Sequence, residues 1–346
     1  MRRTQVLNRR ILLPILSAAL TCIAHSSVAD TAVRTVLDVI KVGGPDGWDY
    51  TTFDPATHTV YIAHGSAIAA VNATTKAVTP HLADAQGAHI AVPYAGGSKL
   101  LVTHGKANQV TLNDAKTGAV DATIPTDAKP DAALVEPTTG RAFVMANGGG
   151  TVDVIDLNGK AVIARIAVGG APEAATFDGQ GLVFTHLEDR NALVVIDAKA
   201  MKVKATYPLG GCEEPSGIAA IPKRGLILSA CANQIARLTN ATTGAEVASL
   251  PLGKHPDSAF WDADHEVGYV PCGDGTLTVI NFKHDAAFVT EVVVTQAGAR
   301  TGAVDPATGL VYLPTAELGA PVKAGGHPSV VPDTLKILVI GTSLRQ

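Results

Sequence analysis

Glu136-Pro137-Thr138-Thr139-Gly140-Arg141-Ala142-Phe143-Val144-Met145 joins a tight turn to a short apolar strand. The same turn returns as Asp54-Pro-Ala-Thr-His58 before Thr59-Val-Tyr-Ile-Ala63, and again as Asp305-Pro-Ala-Thr-Gly309. An acidic residue followed by Pro presets the turn dihedrals, and a closing Gly tolerates the left-handed exit. A second marker follows each Val/Ile-rich strand. It reads Asn72-Ala-Thr-Thr, Asp114-Ala-Lys-Thr-Gly, Asp156-Leu-Asn-Gly, Asp197-Ala-Lys-Ala, Asn240-Ala-Thr-Thr-Gly and Asn281-Phe-Lys-His. The successive spacings are 42, 42, 41, 43 and 41 residues, and a seventh copy of the preceding strand, Lys336-Ile-Leu-Val-Ile340, stands just before the C-terminus.

A period near 42 residues with four short strands per unit is the signature of a propeller. Helical repeats of that length would space apolar residues by three and four over ten or more positions, whereas here alternation and short apolar runs prevail. The seventh unit ends too soon to hold its own outer strand. Val36-Leu-Asp-Val-Ile-Lys-Val-Gly-Gly44 matches the outer strand of the third unit, Val162-Ile-Ala-Arg-Ile-Ala-Val-Gly-Gly170. The N-terminal strand is therefore expected to complete the last blade and remove an open sheet edge. The sequence predicts an all-β, seven-bladed propeller of four-stranded antiparallel blades.

The combination of Gly-x-Pro at a strand start, Asp-Pro-x-Thr-Gly, an aromatic strand and Val-Ile-Asp resembles the YVTN-repeat (YncE-like) family across residues 30–346. The strands read Val-Tyr-Ile-Ala or Ala-Phe-Val-Met rather than the namesake tetrapeptide. What the resemblance implies is a secreted seven-bladed propeller; it does not imply one activity, because propellers host binding, scaffolding and unrelated chemistries.

Residues 1–29 are set apart from this fold. Arg2, Arg3, Arg9 and Arg10 form a basic head, Ile11 to Ala24 run mostly apolar, and Ser27-Val28-Ala29 is a small-x-small cleavage pattern. That is a secretory signal peptide, and its apolar run is short of the ~20 residues of a membrane span. The mature domain, 30–346, is expected in the periplasm or secreted, with no stable membrane span once the signal is cleaved. It keeps 23 Lys and Arg against 31 Asp and Glu, a net charge of −8. No nucleic-acid partner is expected, since such binders carry a basic face.

Aligning the units on their turns brings one position of each innermost strand into register. It holds Asp49, His89, Asp131, Glu173, Ser216, Asp257 and Arg300, preceded by Pro130, Pro172, Pro215 and Pro256 in four units. These side chains are expected to ring the mouth of the central channel as a ligand-binding funnel. A second aligned position, at the end of the next strand, holds His64 and His104, with His186 one residue out of step. Carboxylates suit hard cations and imidazoles suit transition metals. His64, His104, His186, Asp131 and Glu173 are thus candidate ligands of a divalent ion, against the alternative of a solvated polar rim. No catalytic residue is assigned. The insertion at 316–334, with Lys323-Ala-Gly-Gly-His327-Pro, is expected on the same face as a lid or as a disordered loop.

Three cysteines follow the signal peptide. Cys212 precedes the inner strand of unit five and Cys231 ends its neighbour, so a disulfide between them is expected, with Cys231–Cys272 as the rival pairing; Cys212-Glu-Glu-Pro-Ser-Gly217 also resembles a segment of secreted family members. Three functions fit. The leading one is a binding module offering its carboxylate/His funnel to a small molecule, a metal ion or an envelope protein partner. The others are a metal-dependent lactonase or lyase at the same funnel, and a ligand-free envelope scaffold.

Overall fold

The computed structural model describes residues 32–44, 47–321 and 328–344, together with Met1. The signal-peptide reading falls outside the described residues. Seven four-stranded antiparallel sheets stand side by side, and the innermost strand of each touches the innermost strand of the next all the way round. Blade one runs Trp48–Asp54, Thr59–His64, Ala67–Asn72 and Val78–Asp84, from channel to rim, and blades two to six repeat that order. Blade seven closes as the repeat predicts. Its outer strand is Ala32–Lys41, paired antiparallel with the last strand of the chain so that Val36 faces Ile340 and Val39 faces Leu338. Arg34 adds an ion pair to Glu291 of blade six (3.4 Å) and lies over the Tyr269 ring.

The repeated turn folds as its residue types require. The Asp54 carboxylate accepts the Ala56 N–H (3.0 Å) and the Thr57 hydroxyl (2.6 Å), and Asp305 does the same with Ala307 and Thr308. In blade three the longer Glu136 takes the amides of Thr138 and Thr139, both at 2.9 Å. The following strand then carries its large residue inward at one fixed position. Tyr61, Leu101, Phe143, Phe184, Leu228, Tyr269 and Tyr312 are all buried there, and they pack blade against blade. Apolar burial between sheets, at roughly 25 cal/mol per Å2, is the main force holding the ring closed.

One local irregularity decides where the functional residues point. In blades one to five the innermost hairpin shifts register just after it begins, between Trp48 and Thr51, Ala88 and Ala91, Pro130 and Ala133, Pro172 and Ala175, and Pro215 and Ile218. Such a bulge leaves a residue unpaired and re-aims its side chain. Asp49, His89, Asp131, Glu173 and Ser216 each lie inside one of these bulges. Where Pro stands first it cannot donate to the ladder, which favours the irregularity. Lys129, Glu214 and His255, which precede Pro130, Pro215 and Pro256, take φ of 52°, 44° and 56°, a left-handed conformation rare outside Gly.

Candidate functional site

The bulges of blades one, two and three bring Asp49, His89 and Asp131 together. His89 Nδ1 lies 2.6 Å from Asp49 Oδ2 and 3.2 Å from Asp131 Oδ1. One donor atom from each of the three lies within 4.8 Å of the others. Asp131 is the most enclosed, its side chain 7 % exposed, with His89 at 3.2 Å and the Lys129 ammonium at 3.8 Å beside it. Burial, reinforced by the Asp49 and Asp257 charges and opposed by His89 and Lys129, pushes its carboxyl up to about 6. Burial works against the His89 cation, yet the hydrogen bond to Asp49 and the charges of Asp131 and Asp49 prevail and leave it above the usual imidazole value.

Glu173, from blade four, takes a different partner. Tyr50 of blade one reaches across the channel and donates its hydroxyl to Glu173 Oε1 at 2.8 Å, while Asn147 Nδ2 donates to Oε2 at 3.1 Å. Burial and then the Asp131 charge push Glu173 up to about 8 in spite of the Tyr50 hydrogen bond. Burial and the charges of Glu173, Asp257, Asp131 and Asp49 hold the Tyr50 phenol well above its ordinary value. Tyr50 thus sits among the ring's carboxylates, and reasoning from sequence passed over it. Its one available signal is its place directly after Asp49.

The remaining ring positions are self-satisfied. Asp257 accepts from Arg300 Nε at 2.7 Å, and the Ser216 hydroxyl donates to the Pro256 carbonyl at 3.1 Å. The histidines expected to join the ring as metal ligands are not brought to it. His64 Nε2 bonds the Pro80 carbonyl (3.0 Å) in the outer strand of its own blade. His104 accepts the Gln86 amide at Nδ1 (3.1 Å) and meets Thr111 Oγ1 at Nε2 (2.9 Å). His186 is buried against Ser229 Oγ of blade five at 2.8 Å, and burial pulls its imidazole down to about 4. Each ring packs between strands instead of facing the channel. Of the expected ligand set only Asp131 belongs to a cluster that can share one ion among the described residues, and Asp49 and His89 supply the other donors.

Two further expectations meet the structure nearby. Cys212 and Cys231 form a disulfide with their Cα atoms 5.2 Å apart, and Cys272 is a free, buried thiol that burial raises to about 11. In the insertion of blade seven, Leu318–Pro321 pairs with Pro328–Val330, and Val330 packs into the cluster that holds Trp48. Val330 also lies beside Gly47, and Leu318 beside Gly298, each glycine two residues before a ring position (Asp49 and Arg300). Residues 322–327, with Lys323 and His327, fall outside the described residues.

No family model matches the chain, and no curated protein is significantly similar to it. Solved structures are similar in fold. A chain of the mitotic checkpoint complex superposes with a TM-score of 0.72 at 17 % identity, over 89 % of this chain and 96 % of that one. Kuenenia stuttgartiensis hydrazine synthase gives 0.67 at 16 % identity, over 79 % and 92 %. Streptogramin B lyase gives 0.69 at 12 % identity, over 90 % and 98 %. Three proteins with such different names on one architecture leave the function to the site. Among the described residues no helix is long and apolar enough to cross a membrane.

Proposed function

We infer that the protein is a binding module whose funnel takes a divalent transition-metal cation at Asp49, His89 and Asp131, with the cation's open positions facing a small oxygen-bearing ligand in the channel mouth. The observation that carries this reading is the convergence of two carboxylates and one imidazole, each from a different blade, within 4.8 Å. A mixed nitrogen and oxygen donor set suits zinc or manganese better than magnesium. The raised carboxyl of Asp131 supports it too. Asp131 shares the one His89 imidazole with Asp49, and a bound cation would add positive charge between the two carboxylates. An envelope protein docking on the same face would compete for these residues. The export reading, and with it the YVTN-repeat kinship, is part of the proposal; the Cys212–Cys231 disulfide supports export, since such bonds persist in oxidising compartments.

The test is thermal unfolding of chelator-treated protein with added Zn2+, Mn2+ or Mg2+. Zn2+ and Mn2+ should raise the Tm, because a ligand that binds only the folded state stabilises it. His89→Ala should weaken zinc binding by about a hundredfold, roughly 2.7 kcal/mol. A Tm indifferent to all three cations overturns the reading.

A second reading, metal-dependent lactone hydrolysis or lyase chemistry at the same funnel, is favoured by one specific pair. Glu173, raised to about 8, holds a proton at neutral pH and lies 2.8 Å from the Tyr50 hydroxyl. A general acid needs such a group poised near the working pH. Turnover of a lactone panel by zinc-loaded protein, lost in Glu173→Gln, would establish it; no turnover leaves the binding reading alone.

A further inference from the structure

In five blades the residue two places before the ring position takes positive φ: Gly87, Lys129, Glu214, His255 and Gly298. Glycine meets that left-handed backbone without strain, as Gly87 does at 68°. Lys129 holds it at 52°, where its Cβ is a burden, so the backbone gains nothing from a lysine here. The main chain is pinned on both sides. The Lys129 N–H donates to Asn108 Oδ1 at 2.9 Å, and its carbonyl accepts the Asn147 N–H at 3.0 Å. Beyond that anchor the side chain is 53 % exposed, and its ammonium stands 3.8 Å from Asp131 Oδ2 in the cation cluster.

An ammonium has three donors to place. One reaches Asn147 Oδ1 at 3.3 Å, while Asp131 is too far for a hydrogen bond. Asn147 is held facing Lys129, because its Nδ2 donates to Glu173 Oε2 at 3.1 Å and to the Pro172 carbonyl at 3.3 Å. Glu188 feels the Lys129 charge but forms no ion pair with it among the described residues. Donors of Lys129 are thus left for a partner from solution. A divalent cation at the cluster sharpens that demand. Asp49 and Asp131 neutralise the ion, a neutral His89 adds no charge, and the Lys129 charge is left over. Two positive centres then flank Asp131 and attract an anion between them. The other funnel cation, Arg300, stays matched by Asp257 at 2.7 Å.

We propose that the ligand completing the cation is a small monocarboxylate, one oxygen on the ion and the other accepting from Lys129 Nζ. Lys129 is then the specificity-determining residue of the funnel, selecting an anion over a neutral oxygen ligand. One negative charge brings the occupied site to neutrality. A dianion such as phosphate overshoots, and the arginine that could fork onto it is committed to Asp257. The inference rests on the cation reading above and gives its oxygen-bearing ligand a charge class.

Acetate and acetamide, close in shape and different in charge, test it. The protein is loaded with Co2+, which takes the same donors as Zn2+ and whose visible spectrum shifts when a new oxygen joins it. Acetate should bind about tenfold tighter than acetamide, and tighter than inorganic phosphate. Lys129→Met, which keeps the side chain's length and removes its charge, should weaken acetate about tenfold and leave acetamide unchanged. Lys129→Gly, which suits the left-handed backbone, should do the same and covers the case in which the Met variant does not fold. Lys129→Arg should keep most of the acetate affinity. Co2+ itself should bind the Met and Gly variants at least as tightly as wild type, since a nearby positive charge has gone. Four results would overturn the proposal and leave the cation reading standing: equal binding of acetate and acetamide, phosphate bound more tightly than acetate, an acetate preference that survives the loss of Lys129, or Co2+ lost from both charge-removing variants. Wild-type protein that binds neither Co2+ nor Zn2+ would overturn both.

Discussion

Blades five to seven and blades one to four meet the channel mouth with the same aligned position and treat it in opposite ways. On the first side every group is spoken for locally: a disulfide staples the start of blade five, Ser216 donates to a backbone carbonyl, and Asp257 pairs with Arg300. On the second side Asp49, His89 and Asp131 crowd together, and Glu173 holds a shifted proton beside Tyr50. One side has the pattern of structural support and the other of a site under electrostatic tension. Perturbed titratable groups in a concavity mark functional candidates, whereas matched ion pairs mark structure. The comparison teaches that a repeat can keep its geometry all the way round while only part of the ring carries chemistry.

The largest effect expected of a perturbation falls on the supporting side. Replacing Cys212 and Cys231 together with Ser should cost about 3 kcal/mol in chemical denaturation, as expected for a loop of this length. The zinc-dependent rise in Tm should be untouched. If the double variant loses its zinc response as well, the two sides are not independent and the comparison breaks.

On the tense side the expected signature is a pH slope. Asp131 and Glu173 have folded values, about 6 and about 8, above the 3.8 and 4.5 of the free carboxyls. The folded protein therefore binds protons more tightly than the unfolded chain. Stability from these groups is full below about pH 4 and is lost as pH rises through 6 and then 8. Metal-free protein should lose stability between pH 5 and pH 8 relative to Asp131→Asn with Glu173→Gln, whose profile should be flatter. Cation binding should run the other way and strengthen with pH, because the ion competes with protons for His89 and Asp131. Urea titrations across that range, with and without Zn2+, separate the two slopes. Parallel profiles for wild type and the double variant would show that the ring is solvated and relaxed.

The ring position could be read in the sequence because backbone constraint and repeat coincide there: Pro130, Pro172 and Pro215 start their strands and the bulge that follows re-aims the next side chain, while Pro256 makes an isolated bridge to Cys272 ahead of the inner strand of blade six. The closing strand could be read because its apolar alternation matches another outer strand. What could not be read was which side of a sheet a rim residue leaves by. His64 stands opposite Trp48 in register, and its ring turns to Pro80, a choice made by the packing of its own blade. The same holds for His104 and His186, whose partners lie on neighbouring strands or blades. Tyr50 escaped notice for a related reason. Its contact with Glu173 spans 123 residues and depends on the width of the channel, which no repeat period encodes. Alignment gave the ring; three-dimensional closure chose its working members.

The smallest expected effect probes the boundary between the two sides. Arg300 pairs with Asp257 at 2.7 Å, but its side chain is 44 % exposed, so water screens the pair. Arg300→Ala should therefore cost only about 1 kcal/mol of stability, and less again in an Asp257→Asn background. Its effect on the cation should have the opposite sign. The guanidinium also acts on Asp49 and Tyr50, so it is the nearest positive charge that the supporting side lends to the tense one. Removing it makes the funnel more negative without touching a proposed ligand. Zinc affinity, measured by calorimetry at low salt, should then rise by a factor of about two to three, and the gain should shrink as added salt shortens the Debye length below ~10 Å. Weaker zinc binding in Arg300→Ala would mean that Arg300 holds the cluster in shape, and that the boundary between support and site lies further round the ring than Asp257.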